Sequence, residues 1–257
     1  MRDADFRPSR RLLLRGALAG AGVSLLSGCE ALSGNEAFVD VLATAEPLTA
    51  RVQRMLTGNR LAPEYQTSMI SPVFRANGSI NPQTSEYLAL KANNFSDYRL
   101  RVRGLVRKPL EFSLDALRAM PARSQITRHD CVEGWSVIGG WAGVPLATML
   151  DLAEVKPGAR YVVFHCFDDL SNDGSRYYES VDLLDAYHPQ TIVAHTLNGA
   201  PIPVGNGAPV RMRIERKLGY KMPKYVHTIE LVDAYARFGG GKGGYWEDLG
   251  YDWYGGI

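Results

Sequence analysis

The chain has 257 residues, 46% hydrophobic and 22% charged, which excludes a disordered, collagen-like or coiled-coil protein. Lys and Arg number 29 against 27 Asp and Glu, and a net charge of +2 is no footprint for nucleic acid. Residues 1–28 hold five arginines and two acids, so the remainder, with 24 basic and 25 acidic residues, is close to neutral.

In chain order, the first feature is Ser9-Arg10-Arg11-Leu12-Leu13-Leu14-Arg15, an arginine pair directly before a stretch, Gly16 to Gly28, without charge. That stretch is too short to span a bilayer, which takes about 20 apolar residues. It has the layout of a twin-arginine secretion signal, and the clustering of its arginines ahead of the apolar run excludes an amphipathic helix. Its end, Leu26-Ser27-Gly28-Cys29, resembles the bacterial lipobox, whose cysteine thiol accepts diacylglycerol before cleavage. The expectation is a periplasmic protein, exported folded and anchored through acyl chains on Cys29, each buried CH₂ contributing about 0.8 kcal/mol. Twin-arginine export often carries proteins that acquire a cofactor in the cytoplasm.

Residues 29–65 read as a tether with a short helix around Thr49–Leu56, and residues 66–257 as one domain. Within it, Tyr98–Gly104 alternates apolar and basic residues, the period of a half-buried strand. Tyr161–Phe167 is a short apolar run consistent with a buried strand. Thr191–Leu197, Val210–Glu215 and Val226–Leu231 are further strand candidates, and Asn198-Gly199 is a hairpin signal. Ser113–Met120 reads as a helix capped by Ser113 and ended by Pro121. Pro145–Ala153 and Val181–Tyr187 read as two more. From Phe238 the tail FGGGKGGYWEDLGYDWYGGI lacks the spacing and the Ser or Thr of a phosphate loop. It reads as a flexible strip pinned by Tyr245, Trp246, Tyr251, Trp253 and Tyr254. The fold class is α+β: mixed β-sheets, short peripheral helices and long loops.

Once Cys29 is acylated, Cys131 and Cys166 remain. An oxidising compartment favours a disulfide, and a buried thiol or a metal site are the alternatives. His129 and Cys131 share a face of an extended chain, whereas His165 and Cys166 point to opposite faces and make a poor zinc pair. Spacing alone leaves the three readings open. In Val210-Arg211-Met212-Arg213-Ile214-Glu215 the apolar residues share one face and the charges the other. Arg211 can grip a phosphate bidentately and Lys224 can act as a point charge; the alternative for Arg211 is a solvated strand face. Asn206-Gly207 also reads as a plain turn.

Arg128-His129-Asp130-Cys131-Val132-Glu133-Gly134-Trp135-Ser136, followed by Trp141-Ala142-Gly143-Val144-Pro145-Leu146, resembles the active-site segment of the sulfite oxidase family of molybdopterin enzymes. Asn206-Gly207-Ala208-Pro209-Val210-Arg211, then Leu218-Gly219-Tyr220-Lys221 and Lys224, is similar to that family's cofactor-binding half. Asn93-Asn94-Phe95 is similar to its N-terminal cofactor contact. The resemblance spans roughly residues 90–232 and implies a sulfite-oxidase-type molybdopterin-binding domain with a Mo-molybdopterin cofactor. Cys131 takes the role of the molybdenum ligand, a soft thiolate beside the two dithiolene sulfurs. Asn93, Ser96, Asp97, Cys166, Asn206, Arg211, Met222, Pro223 and Lys224 take the roles of cofactor contacts. Tyr177 aligns with a tyrosine near the metal's oxygen ligand, with Tyr178 one step away. His129 is either a wall of the substrate pocket or a structural histidine.

The implied reaction is two-electron oxygen-atom transfer on a sulfur oxo-compound. One branch of the family oxidises sulfite; another reduces methionine sulfoxide in periplasmic proteins, so the substrate is small or borne on a protein. Reduction of an S-oxide is preferred here. Sulfite is a small dianion that needs convergent arginines, for which Arg75, Arg99, Arg101, Arg103, Arg128 and Arg176 are candidates. No Cys-x-x-Cys-His occurs, so electrons come from a separate partner, a periplasmic cytochrome or a membrane haem protein. The domain leaves no room for the dimerisation domain of animal sulfite oxidases, and a monomer is expected. The competing readings are a non-enzymatic lipoprotein that keeps the fold as a binding module and, third, a zinc hydrolase.

Overall fold

The structure, a computed structural model, describes Asn35, Phe38 and residues 44–171 and 173–257. The expected signal and Cys29 lie outside the described residues. The chain divides into a part ending at Leu56 and a compact unit, Thr57–Ile257. The first part shows one helix in full, α1 (Ala45–Thr57), none of whose residues is buried.

The compact unit is built on two five-stranded sheets. In the first, β1 (Arg99–Gly104) pairs antiparallel with β2 (Leu110–Ser113) and parallel with β10 (Val226–Val232). β10 continues antiparallel to β5 (Tyr161–Cys166), and β5 to β6 (Tyr178–Asp182). In the second, β3 (Arg123–Asp130), β4 (Ser136–Pro145) and β7 (Thr191–Leu197) run antiparallel, and β7 also pairs with β8 (Ala200–Pro201) and β9 (Arg211–Ile214). Side chains of both sheets meet in one core: Leu100, Val102, Phe164 and Ile229 from the first, Val193, Met212 and Ile214 from the second. A smaller cluster of Phe74, Val137, Trp141, Ile192 and Leu197 includes residues of β4 and β7.

The helices are short, in order α2 (Ser85–Ala92), α3 (Leu114–Ala119), α4 (Leu146–Ala153), α5 (Leu183–Ala186) and α6 (Tyr245–Asp248). Ser113 caps α3 as its sequence demands, its hydroxyl accepting from the Ala116 amide at 3.1 Å. Val181 and Asp182, expected in a helix, end β6 instead, and the Asp182 side chain caps α5. β3 and β4 carry no alternating apolar signal. On β3 the inward positions are polar, Gln125, Thr127 and His129. On β4 two glycines, Gly139 and Gly143, sit where neighbours crowd; a Cβ at Gly143 would lie 2.1 Å from the Val193 carbonyl oxygen.

The mixed sheets, short helices and long loops are the expected α+β architecture. The C-terminal strip is built into the unit. Lys217 donates to the Tyr254 carbonyl at 2.7 Å, and Glu247 of α6 is buried against Lys221.

Candidate active-site cleft

The β3–β4 hairpin sets the position of Cys131. Its loop closes with the Cys131 amide donating to the Trp135 carbonyl at 2.9 Å and the Gly134 amide to the Cys131 carbonyl at 3.0 Å. Asp130 pins the hairpin base, accepting from the Ser136 hydroxyl at 2.5 Å and pairing with Arg128 at 2.8 Å. Cys131 is half-buried and a free thiol, with the Asn77 side-chain amide donating to its sulfur at 3.6 Å. It opens on a cleft of about 820 Å³, a volume that includes space open to solvent.

Arg211 lines the same cleft. β9 is buried on both faces, so its charges do not reach solvent as an amphipathic strand would have them. Arg213 is neutralised by a bidentate pair with Glu215, at 2.9 and 2.6 Å, and stacks 4.7 Å over Trp141. Arg211 has no carboxylate within ion-pair distance among the described residues. It donates to the carbonyls of Asn206 at 3.0 Å and Met222 at 3.3 Å, and its Nε is buried without a partner. Burial, then the neighbouring Arg213, lowers its pKa. Lys224 donates to the carbonyls of Asn77 at 2.7 Å, Gly205 at 3.3 Å and Ser79. Burial, then Arg211, holds Lys224 down to about 7. Two cations forced together in a buried cleft, one with an unused N–H, suit an oxyanion such as a phosphate.

Tyr177 is buried in the same cleft, donating to the Tyr220 carbonyl at 2.7 Å and stacking on Tyr245 at 5.5 Å. Tyr178 lies outside it and donates to the Phe238 carbonyl and to Asp248. His129 is buried between Phe74 and Trp135, its Nδ1 accepting from Arg213 at 2.9 Å, so its proton sits on Nε2. Burial, then Arg213, keeps the ring neutral. Gly219 makes room for it: a Cβ there would lie 2.6 Å from the imidazole.

Of the residues named from sequence, Cys131, Tyr177, Asn206, Arg211, Met222, Pro223, Lys224 and His129 line this cleft. Asn93, Ser96, Asp97 and Cys166 are not among its lining residues. Asn93 follows α2 and its side-chain amide donates to Asp97 at 2.6 Å, while its side-chain oxygen Oδ1 is buried without a partner. Asn94 and Phe95 beside it have φ of +54° and +62°, a conformation that costs a bulky residue energy. Ser96 and Asp97 are exposed. Cys166 lies in the core as a free thiol, so the two cysteines form no disulfide. Of the six candidate arginines only Arg75 lines the cleft, 4.9 Å over the Trp135 ring. Arg99 and Arg101 face Glu111, Arg103 pairs with Glu230, and Arg176 with Glu86.

Apart from Arg75, sequence reasoning missed the Phe74–Ser79 wall, Asn77 included, which has no periodic pattern. It also missed Asp168, whose Oδ1 is buried without a partner; burial lifts this carboxyl to about 7 against the opposing pull of Lys224. Trp246 and Tyr251 of the tail line the cleft too, roles that their aromatic character alone did not reveal.

The family described as "oxidoreductase molybdopterin binding domain" matches residues 87–237. The chain is 39% identical over 250 residues to the putative protein-methionine-sulfoxide reductase subunit YedZ1 of Azospira oryzae, covering 97% of this chain and 88% of that protein. It is 31% identical over 245 residues to the protein-methionine-sulfoxide reductase catalytic subunit MsrP of Ralstonia nicotianae, covering 89% and 70% respectively. The sulfane dehydrogenase SoxCD of Paracoccus pantotrophus superposes with a TM-score of 0.49 at 24% identity, over 54% of this chain and 39% of that one.

Proposed function

The chain belongs to the molybdopterin-binding oxidoreductase family, with its sulfite-oxidase-type fold, and from that premise we propose that it reduces an S-oxide of the methionine sulfoxide kind. It is an enzyme of that family, a molybdopterin-dependent oxidoreductase. The net reaction takes up two electrons and two protons and releases the sulfide and water. Molybdopterin, when bound, supplies a molybdenum centre that exchanges an oxygen atom with the substrate while changing by two electrons.

The observation that carries this reading is the convergence of Cys131, Tyr177, Arg211 and Lys224 on one cleft. The residues fit the cofactor by their own chemistry. Cys131 offers a soft thiolate for the metal. Arg211, with its unpartnered buried Nε, and Lys224 offer charge for the phosphate tail. The Asn206, Met222 and Pro223 wall gives the pterin a surface to lie against. Asn93, Ser96, Asp97 and Cys166, cofactor contacts by resemblance, do not line the cleft, and Cys166 packs in the core. Tyr177 holds a phenolic proton at the cleft, and His129 closes one side as a neutral ring.

An S-oxide is favoured over sulfite by charge. A dianion needs several convergent arginines, and of the candidates only Arg75 lines the cleft. The relatives named as methionine-sulfoxide reductases point the same way. Their designation as subunits supports a separate electron donor, and this chain has no haem-attachment sequence of its own. A twin-arginine signal over residues 1–28, an acylated Cys29 and a tether to residue 65 would place the enzyme on the periplasmic face of a membrane. A zinc hydrolase is disfavoured: among the described residues no three His, Cys, Asp or Glu come together as metal ligands.

The test is metal analysis and steady-state kinetics on protein exported with its own signal. The expected result is close to one molybdenum per chain and turnover of methionine sulfoxide faster than of sulfite. Cys131→Ser should abolish turnover and leave the fold intact. A fully active Cys131→Ser protein, or one without molybdenum, overturns the reading.

A further inference from the structure

α1 is amphipathic the wrong way round for a helix that serves a water-soluble surface. Leu48, Val52, Met55 and Leu56 fall within an arc of roughly 100°, the width of an ordinary apolar stripe. Yet they are 61%, 41%, 77% and 66% exposed. The half-buried positions are Glu46, Ala50, Gln53, Arg54 and Thr57, on the opposite face. A folded chain covers its apolar stripe and leaves its polar face to water; here the stripe faces out.

We propose that α1 lies along an anionic phospholipid surface, its Leu48–Val52–Met55–Leu56 stripe among the acyl chains and Arg51 at the phosphates. The stripe is three aliphatic side chains and the Met55 thioether, without the Trp or Tyr that anchor protein interfaces. Arg51, exposed, sits at the edge of the arc, where a long cationic side chain reaches a headgroup while its stem stays in the apolar layer. The position in the chain supplies the proximity. Ala45 follows Cys29 by 16 residues, a span of about 55 Å at most when extended, so an acylated Cys29 keeps α1 within reach of the bilayer. The proposal rests on that anchoring reading for its proximity, while the surface itself belongs to the helix.

The test uses protein processed from the full chain and mixed with vesicles of phosphatidylethanolamine and phosphatidylglycerol. Intact mass reports whether Cys29 carries acyl chains, so a failure of the anchoring reading is visible by itself. Hydroxyl-radical oxidation is then compared at Met55 and at Met69, which is 49% exposed and lies outside α1. On vesicles the Met55-to-Met69 oxidation ratio should be about tenfold lower in the native chain than in Leu48→Ser/Leu56→Ser, as burial below the headgroups shields the sulfur. Arg51→Gln should raise the ratio at low salt and less so at high salt, since the headgroup attraction is screened. Both variants alter exposed positions, and unchanged thermal unfolding verifies their fold. Equal ratios in native and double-variant protein on vesicles overturn the proposal. So does shielding of Met55 in native membranes but not on protein-free vesicles, which would assign the stripe to a protein partner.

Discussion

Tyr177 gives its only proton to the main-chain carbonyl of Tyr220, at 2.7 Å, and both residues line the cleft. Tyr220 sits in the short turn Gly219–Lys221, and the next side chain, Lys221, is held by Glu179 and Glu247. The hydroxyl is therefore oriented through the backbone by a charge cluster behind the cleft. Burial, then Glu179 and Glu247, drives the Tyr177 pKa well up, so it stays a phenol through the alkaline range. Its use is to donate or orient a proton, never to act as a phenolate.

Tyr177→Phe should lower kcat by about 100-fold, the lower end of what a positioned proton donor contributes. It should also cost about 1–3 kcal/mol of stability, because the Tyr220 carbonyl loses a buried partner. Tyr178→Phe is the control. Its hydroxyl faces Phe238 and Asp248 outside the cleft, so kcat should hold. Steady-state kinetics and urea unfolding on both variants check this, and an equal loss of kcat in the two would remove Tyr177 from the mechanism.

Lys221 carries the second prediction. It is fully buried between two buried carboxylates, Glu179 and Glu247, each at 2.5 Å. Burial opposes its charge, but the two glutamates outweigh that and its pKa rises; burial pushes Glu179 well above the usual carboxylate range. Lys221→Met removes the one positive partner and should cost about 3–5 kcal/mol, the loss typical of a broken buried ion pair. The sign with pH follows. Glu179, raised in the folded state, binds a proton that the unfolded chain has lost above about 4.5, so the variant should regain stability as pH falls toward that value. Urea unfolding between pH 5 and 8 reads this directly. Because Glu247 belongs to α6, the tail should also become the first site of proteolysis.

Where the physics is local, the sequence already carried it. The strands β1, β5, β7 and β10 and the Ser113 cap lie within a residue or two of the expected positions because alternation and capping act over a few residues. Cys131, Arg211 and Lys224 were legible from spacing and resemblance, and they do line one cleft. β3 was not legible because its inward positions, Gln125, Thr127 and His129, are polar, and Gln125 and His129 find their partners, Glu215 and Arg213, far along the chain. Asp168 was hidden for the same reason. Its perturbed carboxyl exists only because Lys224, 56 positions on, folds back beside it, and no local pattern announces that.

Lys224 and Asp168 together predict how the cleft takes an anion. Without one, Lys224 lies at about 7, against 10.5 in an unfolded chain, and Asp168 at about 7 against 3.8. Between about 7 and 10.5 the unfolded chain binds the extra lysine proton, so stability rises with pH there. Between 3.8 and about 7 the folded chain binds the extra carboxyl proton, so stability falls as pH rises. These two groups thus place a minimum of cofactor-free stability near neutral pH. An oxyanion beside them raises both pKa values, since it favours charged lysine and disfavours charged carboxylate, and the cleft must take up protons as it binds. Sulfate, which does not titrate in this range, is the probe. Calorimetry at pH 7.5 in buffers of different ionisation enthalpy should show proton uptake approaching one per anion, with affinity falling as pH rises above 7. Lys224→Gln and Asp168→Asn should each remove part of the uptake. A binding heat independent of buffer would mean that these two groups do not sense the anion, and would detach the phosphate role from Lys224.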